Sequence, residues 1–340
     1  MTDGSTDELV TAFRDSVARL PAERRFLADW LPQVAARTPA TAVHRPFTDS
    51  GRTYRGYAET LANTLRWYKP HKMEKFELPG WTLDPSVVER VRTAARDVID
   101  AAAREAIGET REYLRSYDPS ILARYTAIDI RFEQLTGQKI GSVLDFGSGI
   151  GRQAWYWGRE DVRFYSVDAS ESLYLLQHAS YRELYGDRLV EWLIQPRTDL
   201  APGELGHLPA WALEAIPGGS IDLILAVQVL QEISPQTLSS TLETFRRIIR
   251  PGGLLYIRDK EAWQPEHHIR VGRELLRRGW RLLFRYTGRE VEEIEGVPRL
   301  WVYTGSDNSA EFSLRRRVKR LLLPFWPMNY GGWQDIGLPL

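Results

Sequence analysis

Between Ser142 and Thr304, apolar runs of strand length alternate with stretches whose apolar residues recur at helical spacing. The strand-like runs are Val143 to Phe146, Val162 to Asp168, Ile221 to Gln228, Leu254 to Asp259, Trp280 to Tyr286 and Leu300 to Thr304. Between them, Pro235 to Arg250 sets Leu238, Leu242, Phe245 and Ile249 along one helical face. Ser234 offers a capping oxygen and Pro235 suits the first helical position. Arg246, Arg247 and Arg250 complement the C-terminal dipole, and Pro251-Gly252-Gly253 ends the helix. This alternation predicts an α/β fold with a doubly wound, mostly parallel sheet, whose ligands bind outside the carboxyl ends of the strands. Asp145, Asp168, Gln228 and Asp259 fall at such ends.

Before Ser142 the pattern is mainly helical. Asp84-Pro85 and Asp118-Pro119 each place a capping carboxylate before a proline. Ile121, Leu122, Tyr125, Ile128 and Phe132 then form an apolar face, expected to pack beside the first strand. The segment 38–81, with Trp67, Tyr68 and Trp81, and the connection from Gln195 to Gly219 carry no regular pattern. Past Gly305, Arg315, Arg316, Arg317, Lys319 and Arg320 lead into an aromatic end from Pro324 to Trp333, expected to dock back. The division that follows is a helical domain or lid over 1–138, a ligand domain over 139–306 and a tail over 307–340.

The densest chemical signal is Val143-Leu144-Asp145-Phe146-Gly147-Ser148-Gly149-Ile150-Gly151-Arg152, a strand ending in a carboxylate, then a three-glycine turn that opens a helix near Gly151. Glycines let a ligand lie against bare backbone. The spacing G-x-G-x-G differs from the dinucleotide pattern G-x-G-x-x-G, and Asp145 would repel a pyrophosphate. A phosphate-free ligand carrying an ammonium or sulfonium is attracted instead. Asp168 follows at the distance, about 20 residues beyond the glycine turn, at which an acid meets ribose hydroxyls.

These segments resemble motif I and its companions in class I S-adenosylmethionine-dependent methyltransferases. Val162 to Asp168, Pro217 to Gln228, the helix from Pro235 and the strand after Arg250-Pro251-Gly252-Gly253 match in the same order. The resemblance implies a Rossmann-like sheet of seven strands with a helical N-terminal extension, and S-adenosylmethionine as cofactor. Asp145, Gly147, Ser148, Gly149, Gly151, Asp168, Ala169 and Gln228 are the residues expected to hold it. The family often has a histidine after the fourth strand, where this chain has Glu232. His267 is the first choice of base because imidazole titrates near neutrality, with Glu232, Asp259, Glu261 and His268 on the same edge.

Composition narrows the acceptor. Forty-five basic against 45 acidic residues leave no cationic footprint for a nucleic-acid backbone. Ala226-Val227-Gln228-Val229 also stands where enzymes acting on base amines carry Asn/Asp-Pro-Pro-Tyr/Phe. There is no cysteine, which removes disulfides, thiolate metal sites and a thiolate nucleophile. No spacing demands a metal, and none is expected. No membrane span or secretory leader is expected, so cytoplasmic residence is the default. The expected reaction is methylation, foremost at oxygen, of a small specialised metabolite or sugar. A carbon acceptor, isoprenoid or aromatic, and a non-catalytic cofactor-binding protein are the alternatives, with a homodimer left open.

Overall fold

The computed structural model describes residues 4–22, 24, 54–66, 68, 85–136, 138–259, 265–286, 296–305, 329–330 and 333–335. The strands are β1 (Ser142–Phe146), β2 (Arg163–Asp168), β3 (Leu189–Glu191), β4 (Leu205–Pro209), β5 (Ile221–Val227), β6 (Ile249–Asp259), β7 (Trp280–Tyr286), β8 (Val297–Tyr303), β9 (Asn329–Tyr330) and β10 (Trp333–Asp335). They form one sheet in the order β3-β4-β2-β1-β5-β6-β8-β7-β10-β9. From β3 to β6 all neighbours are parallel, and β8 runs antiparallel to both β6 and β7. The chain leaves β1 toward β2 on one side and returns through β5 on the other, which makes the carboxyl end of β1 the switch point.

The mostly parallel sheet is as expected, but it is wider than seven strands. The stretch left unassigned from the sequence contains β4, where Gly206 and His207 break the apolar run that would have signalled a strand. β3 is three residues long, too short for alternation to show. The antiparallel pair β9 and β10 adds to the edge at β7.

Helices cover both faces because side chains along each strand alternate between them. The helices are α1 (Gly4–Ala18), α2 (Tyr57–Leu65), α3 (Pro85–Glu105), α4 (Gly108–Ser116), α5 (Ser120–Thr136), α6 (Ala154–Trp157), α7 (Glu171–Tyr185), α8 (Pro235–Ile248) and α9 (Pro265–Arg277). Val143, Leu223, Leu225 and Tyr256 pack beneath residues of α2, α3, α5, α6 and α7. Leu144, Phe146, Ile224 and Leu255 face Leu238, Leu242 and Phe245 of α8 with Val271 and Leu275 of α9. Helix α1 lays Leu9 and Phe13 on Tyr174 and Trp211. Among the described residues no helix is long and apolar enough to cross a membrane.

Two boundaries differ from the sequence pattern. Helix α8 is capped as expected, Ser234 Oγ accepting from the Thr237 N–H at 3.1 Å, but it stops at Ile248. Arg250-Pro251-Gly252-Gly253 then forms a bulge inside β6: Ile249 pairs with Ile221 and Leu254 with Leu223. Pro251 has no N–H to give the ladder and Gly252 takes φ +77°. The helix expected near Gly151 starts at Ala154 and ends after four residues.

One buried ion cluster ties three of these pieces together. Asp129 of α5 is completely buried and accepts from Arg152 Nη2 at 2.6 Å and Gln153 Nε2 at 3.0 Å, both in the turn after β1. It also accepts from Tyr256 at 2.9 Å and from Arg258 Nε and Nη2 at 2.6 and 3.0 Å, on β6. Burial opposes its charge, but Arg258 and Arg152 outweigh burial and hold its carboxyl below the usual range. Removing one partner of such a group strands the others without compensation. Asp129→Ala is therefore expected to cost about 3–5 kcal/mol in urea unfolding, against roughly 1 kcal/mol for Ser234→Ala at the half-buried cap. Equal, small losses for both would show the cluster to be dispensable.

Candidate functional site

Strand β1 delivers Asp145 one residue before its end, paired in register with Ser166 of β2 and Leu225 of β5. Its side chain is 2% exposed, and Oδ2 has no hydrogen-bond partner. Burial pushes its pKa up to about 7. Asp129 and Asp168 add to that rise, while Arg152 and Ser148 work against it. An orphaned carboxylate oxygen in this position suits a cationic group better than any neutral one.

The turn that follows is built for close approach. Gly147 takes φ +74°, and a Cβ there would lie 2.5 Å from Val229 Cγ2. Gly149 takes φ +59°, and a Cβ there would meet nothing within 4 Å, so its backbone faces open space. Ser148 points inward, donating to the Asp145 carbonyl at 2.9 Å and accepting from Ser166 Oγ at 2.8 Å. Expected as a ligand contact, Ser148 is placed as a brace of the loop.

Asp168 closes β2 and is fixed from three sides. Gly149 N–H donates to Oδ2 at 3.1 Å, Gln177 Nε2 to the same oxygen at 3.0 Å, and Ser170 N–H to Oδ1 at 2.9 Å. Burial raises its pKa to about 6 against these donors. Beside it lies a groove of about 580 Å³, open to solvent, with Gly147, Asp168, Ala169, Ala210, Leu213 and Val229 in its lining. Ala210 and Leu213 belong to the 3₁₀ turn Ala210–Ala215 that connects β4 to β5 and forms one wall of the groove. Its lining is predominantly apolar, with Asp168 as a directional group, the usual make-up of a small-ligand site. Phe146 faces it and Asp145, alternating, is not part of its lining.

On the other side of the switch point, Gln228 is the one described non-glycine residue with positive φ, +58°. Its N–H donates to the Arg258 carbonyl at 2.8 Å, which holds that strained conformation at the end of β5. Glu232 is half-buried in the turn before α8, its N–H bonded to the Val229 carbonyl at 3.0 Å. Asp259 ends β6, 4% exposed, with Arg299 Nη2 of β8 at 3.8 Å. The backbone of His267 lies in the first turn of α9, but its side chain and that of His268 lie outside the described residues, as does Glu261. The structure thus brings Gly147, Asp168 and Ala169 together at the groove and sets Gln228, Glu232 and Asp259 at neighbouring strand ends.

A second buried cluster carried no signal in the sequence, since its members are scattered. Glu191 Oε2 accepts from His178 Nδ1 at 2.9 Å and His207 Nδ1 at 2.8 Å, while Oε1 accepts from the Tyr174 hydroxyl and from Leu193 N–H at 3.3 Å. Burial opposes the Glu191 charge, yet the two histidines hold its pKa down to about 2. His178, Glu191 and His207 are a set of the kind that can ligate a metal, with donor atoms within 4.8 Å of one another. As placed, four donors fill the four lone-pair directions of the carboxylate, and the set closes without an ion.

Residues 144–255, about a third of the chain, match the family model described as a methyltransferase domain. No curated protein matches the sequence. Among solved structures, the chain is similar to the [4+2]-cyclase SpnF at 14% identity, covering 56% of this chain and 83% of that one, with a TM-score of 0.40. It is also similar to an S-adenosylmethionine-dependent methyltransferase of Methanosarcina mazei, at 13% identity, 52% and 98% coverage and a TM-score of 0.38. A third is the 1,6-didemethyltoxoflavin-N1-methyltransferase of Burkholderia thailandensis with bound S-adenosylhomocysteine, at 15% identity, 62% and 88% coverage and a TM-score of 0.40.

The raised pKa of Asp145 has a measurable sign. The folded chain keeps a proton that the unfolded chain releases near pH 4, so folding stability falls as pH rises from about 4 to about 7 and the cost persists above. Asp145→Asn removes that cost. Without ligand, the variant is expected to unfold at a higher temperature than the wild type at pH 8, by up to roughly 4 kcal/mol of stability. The gap closes toward pH 4, and a gap of constant size across pH would show that folding leaves the Asp145 pKa unshifted.

Proposed function

We propose that this chain, whose residues 144–255 match the methyltransferase-domain model, is a class I S-adenosylmethionine-dependent methyltransferase that methylates a small-molecule acceptor, foremost at oxygen. The observation that supports the reading best is the groove of about 580 Å³ at the switch point, which joins the glycine turn to Asp168. When bound, S-adenosylmethionine supplies an electrophilic methyl group on a sulfonium.

The residues present fit that cofactor. Ala169, Ala210, Leu213 and Val229 give apolar walls for a flat base, and Asp168 accepts from ribose hydroxyls. The bare backbone at Gly147 and Gly149 allows close contact, and the unpartnered Oδ2 of Asp145 favours a cationic group. Gln228 borders the acceptor side. In-line displacement asks the protein chiefly to hold acceptor and methyl donor collinear, so positioning carries most of the rate. A hydroxyl acceptor must also lose its proton, and His267, in the first turn of α9, is proposed as the group that takes it. Glu232 is proposed to orient the acceptor. Asp259 has Arg299 Nη2 3.8 Å away on the neighbouring strand, and His267 is preferred to it because imidazole titrates near neutrality. The helices before residue 138 are proposed to shape the acceptor pocket. The balanced net charge and the absence of Asn-Pro-Pro after β5 favour a small metabolite over nucleic acid.

The purified chain, incubated with methyl-labelled S-adenosylmethionine and a panel of hydroxyl, amine and activated-carbon acceptors, should label at least one small molecule and no oligonucleotide. Label on oligonucleotides alone would overturn the acceptor class, and saturable binding with no product over the whole panel would leave a cofactor-binding protein. With a labelled acceptor in hand, His267→Ala should leave cofactor affinity unchanged and lower the rate, with the loss following the pH profile. An unaltered profile removes His267 from the chemistry. Cofactor affinity itself should strengthen as pH rises through about 7, because a cationic ligand favours ionised Asp145, and Asp145→Asn should flatten that dependence in calorimetry.

A further inference from the structure

Gln177 of α7 is completely buried between Asp168 and the Glu191 cluster. Its Nε2 donates to the Gly149 carbonyl at 2.7 Å and to Asp168 Oδ2 at 3.0 Å. A carbonyl and a carboxylate only accept, so this end of the amide is the NH₂ and Oε1 must face the other way. There it meets Ser166 Oγ at 3.3 Å and His207 Nε2 at 3.0 Å. His207 therefore presents an Nε2–H and, with its Nδ1–H donated to Glu191, carries both protons: the Glu191 carboxylate favours that imidazolium, while burial, the larger effect, lowers the His207 pKa and opposes it. The ring is completely buried, stacked on Tyr174 with centroids 3.8 Å apart, and its Nδ1 is held 2.8 Å from Glu191 Oε2.

We propose that His207, oriented by Glu191, is a positioning residue for the cofactor site: its Nε2–H fixes the amide of Gln177, and Gln177 holds Asp168 and the Gly149 backbone in the geometry that grips a ribose. The proposal rests on the reading of Asp168 as the ribose acceptor. Its logic is one of direction. If His207 ceased to donate, the Gln177 amide would face lone pairs at both ends in one orientation. Turned over, it would set Oε1 against the Asp168 carboxylate and the Gly149 carbonyl. Gly149 has open space where a Cβ would stand and Asp168 lines the groove, so an error in the amide reaches the groove through Asp168. No part of Gln177, His207 or Glu191 lies in the groove lining. They act on the site through Asp168 and Gly149.

The test compares calorimetric affinities for S-adenosylhomocysteine and its 2′,3′-dideoxyribose analogue, with far-UV circular dichroism as the folding check. The wild type should prefer the parent by about tenfold or more. Gln177→Met should lose most of that preference while binding the dideoxy analogue like the wild type. His207→Gln, whose amide nitrogen can stand where Nε2 does, should keep the preference, and His207→Asn, which reproduces only the Nδ1 side, should lose it. A structural role alone would weaken both ligands equally in all three variants. Full preference in Gln177→Met and His207→Asn overturns the proposal. A wild type that binds both ligands alike overturns the assignment of Asp168 to ribose, and the proposal with it. Should the substituted chains fail to fold, ¹⁵N spectra of the native chain decide. Its six histidines make assignment tractable, protonated Nε2 at His207 is expected, and a bare Nε2 refutes the relay.

Discussion

A single carboxylate, that of Asp129, fixes where the glycine turn sits. It belongs to α5, outside the sheet, yet its donors come from the turn after β1 and from β6. The direct consequence is that an N-terminal helix supports the turn after β1 from outside the sheet. Helix α5 packs on α3 and at the same time carries a carboxylate paired with two enclosed guanidiniums. A turn dominated by glycines has little stiffness of its own, since each glycine gives up a large backbone entropy on folding. Arg152 and Gln153, anchored on Asp129, supply the stiffness from outside.

The same cluster sets the charge that Asp145 meets. Burial and the negative charge of Asp129 disfavour ionised Asp145, Arg152 favours it, and burial is the larger effect, so the carboxyl has a pKa of about 7. Without Arg152 the side chain would stay protonated and be of no use to a cation. With a full ion pair to an arginine it would be ionised but already satisfied. The intermediate arrangement leaves an oxygen unpartnered and ready to respond to an incoming charge.

Much of this was legible in the sequence, for reasons particular to each element. Strands β1, β2, β5 and β6 are buried on both faces and read as continuous apolar runs, and Asp145, Asp168 and Asp259 mark their ends. The cap at Ser234 has a fixed local pattern. What could not be read are elements whose signal is interrupted or distributed. Strand β4 contains Gly206 and His207 and so has no apolar run. The bulge at Arg250 to Gly253 looks like a helix stop because Pro-Gly-Gly serves both purposes. The expected helix near Gly151 is cut to four residues, with Trp155, Tyr156 and Trp157 buried, so tertiary packing overrides the local signal. Asp129, Gln177, Glu191 and His207 lie far apart in sequence, and only the topology brings them together.

Three aspartates at strand ends carry the same mark in sequence and have different surroundings in the fold, which shows what determines their roles. Asp259 lies beside Arg299 of the neighbouring antiparallel strand, a contact that exists because β8 inserts between β6 and β7. Asp168 faces backbone N–H groups and an amide, neutral donors that direct a carboxylate without discharging it. Asp145, with parallel strands on both sides, receives no side-chain partner at Oδ2 from either. Strand position puts all three at the ligand edge. The neighbours set the three apart: Asp259 has a guanidinium 3.8 Å away, Asp168 is held by neutral donors, and Asp145 Oδ2 has no hydrogen-bond partner. On the proposed reading the second suits hydroxyl groups and the third a positive charge, and the parallel order around β1 carries them on adjacent strands.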